Sequence, residues 1–113
     1  MAVLDYVELP VSSAKAETAF YSKAFGWNFT AYGDDYAAHE EAPCQLGLNG
    51  TGEHHGRGIL PVIRVDDIAA ALAAVEAAGG AITLPIFDFP GGKRFHFTDP
   101  EGLELACYEP AAG

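Results

Sequence analysis

Apolar and polar positions follow one arrangement twice along the chain: a strand-like alternation, then a helix-like period, then short alternating runs. Residues 3–11 (VLDYVELPV) alternate as a strand, with Val3, Val7, Leu9 and Val11 sharing one face with Asp5. Leu4, Tyr6, Glu8 and Pro10 fall on the other, and Pro10 marks an edge or a strand end. Ser12 and Ser13 offer N-cap hydroxyls, and Ala14 to Phe25 reads as a helix that Gly26 stops. Ala16, Ala19, Phe20, Lys23 and Ala24 form one stripe on it, expected to face the core, with Phe20 and Phe25 as core residues. In the second half, residues 59–65 (ILPVIRV) read as a strand and Asp66 or Asp67 as a cap. Ile68 to Ala78 follows as an Ala-rich helix with Ile68, Leu72 and Val75 at helical spacing, closed by Gly79-Gly80. Val11 and Val65 are 54 positions apart, and so are Gly26 and Gly80, which reads as an internal duplication.

Each helix is followed by β-rich sequence. Strands are expected over Trp27–Ala31, Tyr36–Glu40 and Cys44–Leu48, and again over Ala81–Leu84, Arg94–Phe97 and Leu103–Tyr108. Gly33-Asp34-Asp35, Pro90-Gly91-Gly92-Lys93 and Asp99-Pro100-Glu101-Gly102 supply turns. The expected fold is α+β: two tandem βαβββ modules, about 1–52 and 59–113, in one domain. A Gly-rich linker, about residues 49–58, joins them. Exposed sheet edges need cover, so a homodimer is expected.

Composition narrows the function. Half of the 113 residues are apolar, and sixteen acidic against six basic residues leave a charge of −10. That disfavours nucleic acid and anionic membrane surfaces as partners. No apolar run is long enough to span a bilayer, and Met1-Ala2-Val3-Leu4-Asp5 lacks a signal peptide's basic start, so a cytoplasmic protein is expected. Cys44 and Cys107 make no disulfide scaffold and lack metal-knuckle spacing.

Three stretches, residues 7–27 (VELPVSSAKAETAFYSKAFGW), 62–80 (VIRVDDIAAALAAVEAAGG) and 97–110 (FTDPEGLELACYEP), resemble the vicinal oxygen chelate superfamily. That group includes glyoxalase I, extradiol dioxygenases, fosfomycin resistance enzymes and bleomycin-binding proteins. The resemblance implies a curled sheet with helices outside, cupping a small molecule and, in many members, a divalent metal. The metal-ligand positions it implies fall here on Tyr6, Leu60, Ala106 and either Gln45 or Gly47. None is His, Asp or Glu, and Leu60 and Ala106 carry no donor atom, so no metal and no cofactor are expected.

The remaining candidates each have a plainer reading beside the functional one. His54 and His55 sit in the Gly-rich linker, where a hydrated loop is the alternative to a ligand pair. His39 with Glu40 and Glu41 reads as a solvated strand end or a weak cation site. Arg94 and His96 share one strand face, lining the cup or lying open. Glu8 and Glu104 could do acid–base work in a pocket, or pair with Arg64 or Arg94, or meet water at its rim. Tyr6, Trp27, Tyr36 and Tyr108 offer aromatic surface for a planar ligand. The expected ligand-contacting set is Tyr6, Glu8, Trp27, Gln45, Leu60, Arg64, Arg94, His96, Glu104, Ala106 and Tyr108, with no catalytic residue assigned. The function expected is metal-free capture of a small organic molecule. The alternative is a metal-dependent lyase, isomerase or dioxygenase of the glyoxalase I type, with ligands from Glu8, His39, His96 and Glu104.

Overall fold

A computed structural model describes residues 2–41, 43–53 and 58–112. Two compact units are present, Asp5–Leu60 and Met1–Leu4 with Pro61–Gly113. The fold is α+β, and its elements run β-α-β-β-β in each half.

In the first module, β1 (Val3–Pro10) leads to α1 (Ala14–Phe25), β2 (Thr30–Ala31), β3 (Tyr36–His39) and β4 (Gln45–Asn49). The strands lie in the order β2-β3-β4-β1, antiparallel except for the parallel pair β1–β4. Ser13 caps α1 by accepting from the Ala16 N–H at 3.1 Å, and Gly26 ends it in the left-handed conformation, φ 71°. The helix turns Ala14 into the interior and half-buries Thr18, Tyr21 and Ser22.

This orientation corrects the expected helix face. Ala16, Ala19, Phe20, Lys23 and Ala24 all point outward, and Phe20 and Phe25 are 58% and 61% exposed instead of core. Tyr21 decides the rotation, because its ring stacks on Trp27 (centroids 6.0 Å, 10° apart). Trp27 in turn lies flat on His39 at 4.8 Å and 8°. That column half-buries Tyr21 and Trp27, while Phe20, edge-on to Tyr21 at 5.0 Å, stays exposed.

The second module comprises β5 (Leu60–Arg64), α2 (Ile68–Ala77), β6 (Ala81–Phe89), β7 (Gly92–Thr98) and β8 (Glu104–Pro110). Its strand order is β5-β8-β7-β6, again with one parallel pair, β5–β8. Asp67 caps α2 through the Ala70 N–H, and the Glu109 carboxylate of β8 accepts from the Ile68 N–H at 3.0 Å. Ile68, Leu72 and Val75 pack on one sheet face with Val65, Phe95, Phe97 and Cys107. The helical spacing of those three residues is thus the buried face. Strand β6 runs past Leu84, where the alternation ends, through Pro85 to Phe89. Pro85 fits because β6 ends its sheet and the register shifts between Leu84 and Phe87. A two-residue turn, Pro90-Gly91, then returns the chain into β7.

Candidate functional site

Strand alternation decides which side chains can meet. In the first module Glu8 pairs with Gly47, and Gly47 with Ala38, so these three share a face. Tyr6 pairs with Gln45 on the same face, and Asn49 pairs with both Pro10 and Tyr36. In this register Gln45 stands opposite Tyr6, and Gly47 opposite Glu8.

Glu8 is 2% exposed, and two side chains of its own module hold its carboxylate. The Tyr36 hydroxyl donates to Oε2 at 3.0 Å and the Asn49 amide to Oε1 at 3.2 Å. Tyr36 reaches Glu8 by lying across Gly47, where a Cβ would overlap the Tyr36 hydroxyl. Asn49 also ties this carboxylate to the chain that follows. Its Nδ2 donates to the Glu53 carbonyl at 3.0 Å, and its Oδ1 accepts from the Thr51 backbone N–H at 3.0 Å and hydroxyl at 2.6 Å. Asn49 was read as the first residue of the linker, and its role had no signal in the sequence. The polarity of a strand's last residue looks the same as that of a loop's first.

His39 lies on the other face of this sheet, next to Ala38 in β3 and opposite Leu46. It is not a solvated strand end: it is 7% exposed beneath Trp27, and its Nδ1–H donates to the Asn28 carbonyl at 3.0 Å. Trp27, stacked on His39, is therefore on the sheet face opposite Tyr6 and Glu8. Glu8 and His39 cannot share a metal, because alternation sends them to opposite faces.

In the second module, Arg94 pairs with Tyr108 and His96 with Ala106, so they share the face away from α2. Arg94 and His96 are buried, 3% and 1% exposed. The Arg94 Nε–H donates to His96 Nε2 at 3.0 Å, which makes Nε2 an unprotonated acceptor and puts the imidazole proton on Nδ1. Nδ1 points to Glu104 Oε2 at 3.7 Å, and that oxygen accepts from the Thr83 hydroxyl at 3.1 Å. The result is a chain of carboxylate, neutral imidazole and guanidinium in fixed order. Phe87 and Phe89 of β6 come within 6.1 Å of the His96 ring and 6.2 Å of the Tyr108 ring. They belong to the stretch left unassigned in the sequence, and only the bulged extension of β6 brings them here. Leu60 and Ala106 are fully buried, whereas Arg64, at the end of β5, is exposed.

A divalent metal does not fit the ligand-equivalent residues. A phenol, two aliphatic side chains and either a carboxamide or a glycine are a poor donor set for a hard or borderline cation. Among the described residues, no group of three or more His, Cys, Asp or Glu side chains is close enough to hold one. His54 and His55 lie outside the described residues.

Two α+β modules, each with a helix on one sheet face and buried polar side chains on the other, define a small two-module fold of the vicinal oxygen chelate type. The family model of the Glyoxalase/Bleomycin resistance protein/Dioxygenase superfamily matches residues 3–106, and the chain belongs to that superfamily. Curated relatives include CFP32 of Mycobacterium tuberculosis and of Mycobacterium bovis, provisionally named a glyoxylase. Each is 27% identical over 125 residues, covering 93% of this chain. The chain spans 44% of the length of those relatives. Among solved structures, methylmalonyl-CoA epimerase from Mycobacterium tuberculosis matches with a TM-score of 0.76 at 17% identity, over 96% of this chain and 88% of that one. A protein described as NAD-dependent benzaldehyde dehydrogenase from Legionella pneumophila matches with a TM-score of 0.80 at 16% identity, over 94% and 98%. A superfamily member from Vibrio splendidus matches at 0.67 and 14%, over 98% and 100%. At such identities the likeness is one of fold.

Proposed function

We propose that this chain captures a small organic molecule without a metal, on the sheet face that carries Tyr6 in the first module. The observation that carries the reading is the chemistry of the ligand-equivalent positions the resemblance implies, Tyr6, Leu60, Ala106 and either Gln45 or Gly47, none of which is a His, Asp or Glu. Such residues suit an apolar, partly aromatic wall with a few polar groups fixing orientation. Half-buried Tyr6 offers an aromatic ring for stacking on that face. Glu8, Gln45 and Asn49 supply polar atoms on the same face, and Arg94, His96, Glu104 and Tyr108 form its counterpart in the second module. A net charge of −10 favours a cationic or neutral ligand over an anionic one. The free thiols of Cys44 and Cys107 suit a reducing cytoplasm.

The reading with an enzymatic metal needs Glu8, His39, His96 and Glu104 to act together. The opposite facing of Glu8 and His39 stands against it.

Thermal-shift titration with planar aromatic amines and planar aromatic carboxylates tests the proposal. Amines are expected to raise the melting temperature, and Tyr6→Ala to weaken that binding by about 1–3 kcal/mol. Stabilisation that is unchanged in Tyr6→Ala contradicts it.

A further inference from the structure

Asn49 and Gly50 form the only Asn-Gly pair in the chain. Asparagine is a thermolabile residue, and a following glycine, with no Cβ, lets the backbone turn until its nitrogen reaches the asparagine Cγ. The glycine is set by packing. A Cβ at position 50 would stand 3.0 Å from the Asp35 carbonyl oxygen and 3.4 Å from the Ala14 backbone nitrogen. The close approach of these segments therefore brings a chemically labile pair to the end of β4.

The same packing restrains both reacting groups. The Gly50 N–H donates to the Asp35 carbonyl at 2.7 Å, which engages the nitrogen with the chain before β3 and not with its neighbour's side chain. Asn49 is 5% exposed, and four hydrogen bonds hold its carboxamide. Nδ2 donates to Glu8 Oε1 and the Glu53 carbonyl, while Oδ1 accepts from the Thr51 N–H and hydroxyl. Attack of the Gly50 nitrogen on Cγ requires all of these to give way together, which is a local opening of residues 49–53.

We propose that Asn49 is a deamidation site that the folded first module holds shut and that local opening releases. In the reaction the Gly50 nitrogen gives its proton to hydroxide and bonds to Asn49 Cγ. The Cγ–Nδ2 bond breaks, and ammonia leaves with a proton from water. Water then opens the cyclic imide at either carbonyl, leaving aspartate or isoaspartate, so the only co-reactant is water. Either product is disabling at this position. Aspartate replaces the donor 3.2 Å from the Glu8 carboxylate with a second carboxylate. Isoaspartate adds a carbon to the backbone where position 49 pairs with both Pro10 and Tyr36. The modification is thus irreversible, and it strikes the polar face around Glu8.

Peptide mass spectrometry of the full chain, aged in mildly alkaline buffer with and without urea, tests the site. Conversion at Asn49 is expected to be at least about tenfold slower in the folded protein than in the unfolded chain. Thr51→Val, which removes one donor to Asn49 Oδ1, should speed conversion in the folded protein and leave the unfolded rate unchanged. Asn49→Asp should lower the urea midpoint, and adding Glu8→Gln, which restores an amide–carboxylate pair, should recover part of the loss. No conversion at Asn49 in the unfolded chain, equal rates in both states, or a folded rate indifferent to Thr51→Val would overturn the proposal. An Asn49→Asp variant as stable as wild type, or no recovery with Glu8→Gln, would overturn the disabling effect assigned to it.

Discussion

Glu8 is the residue on which the first module's polar face turns, and its neighbours make its placement testable. Gly47 is required because the Tyr36 ring crosses it to reach the carboxylate. Gly47→Ala should therefore cost about 1–3 kcal/mol in urea unfolding, as overpacking does. Adding Tyr36→Phe, which deletes the obstructing hydroxyl, should recover part of that loss. Asn49→Ala removes hydrogen bonds to Glu8, Thr51 and Glu53 together and should destabilise by about 1–3 kcal/mol. Cys107 gives a pH signature. Burial pushes its thiol up to about 11 from the usual 9.0, so the folded state holds its proton where the unfolded state has lost it. Its contribution to stability is complete below about pH 9 and declines as pH rises towards 11. Cys107→Ala should flatten the fall in stability over that window, measured by urea midpoints at stepped pH.

At the scale of elements, caps, strand cores and the face of α2 were legible in the sequence, and the rotation of α1 was not. Ser13 and Asp67 cap as read, because a hydroxyl or carboxylate before a helix has one local use. The face of α2 was legible because Ile68, Leu72 and Val75 are its only large apolar residues. In α1 the alanines allow close approach from any side, and the helix lies where Tyr21 meets Trp27, a contact between residues the periodicity does not link. The helix rotation implies a ranking of mutants. Phe95→Ala, at a side chain with no exposure, should cost about 3–5 kcal/mol, whereas Phe20→Ala should change monomer stability by under about 1 kcal/mol. The same limit explains the site. Faces of β1, β4, β7 and β8 follow from alternation, so Tyr6 with Glu8, and Arg94 with His96, could be grouped from sequence. Trp27, outside any strand, and Phe87, beyond a bulge, could not.

Across the whole molecule, the family and the α+β fold are secure, and they do not fix the chemistry. Proteins of closely similar fold are described as differently as an epimerase and a dehydrogenase. The positions the resemblance implies hold Tyr6, Leu60, Ala106 and either Gln45 or Gly47, and Glu8, Glu104 and His96 are tied into hydrogen bonds with Tyr36, Asn49, Thr83 and Arg94. On the proposed reading the protein binds its ligand through shape, stacking and fixed polar groups, without a Lewis acid. Elemental analysis of the protein, purified without chelators from cells grown with zinc, nickel, manganese and iron, tests that claim most directly. The account predicts metal far below one atom per chain, with no change on mutating Glu8 or His96. One atom per chain, lost on either mutation, would contradict it.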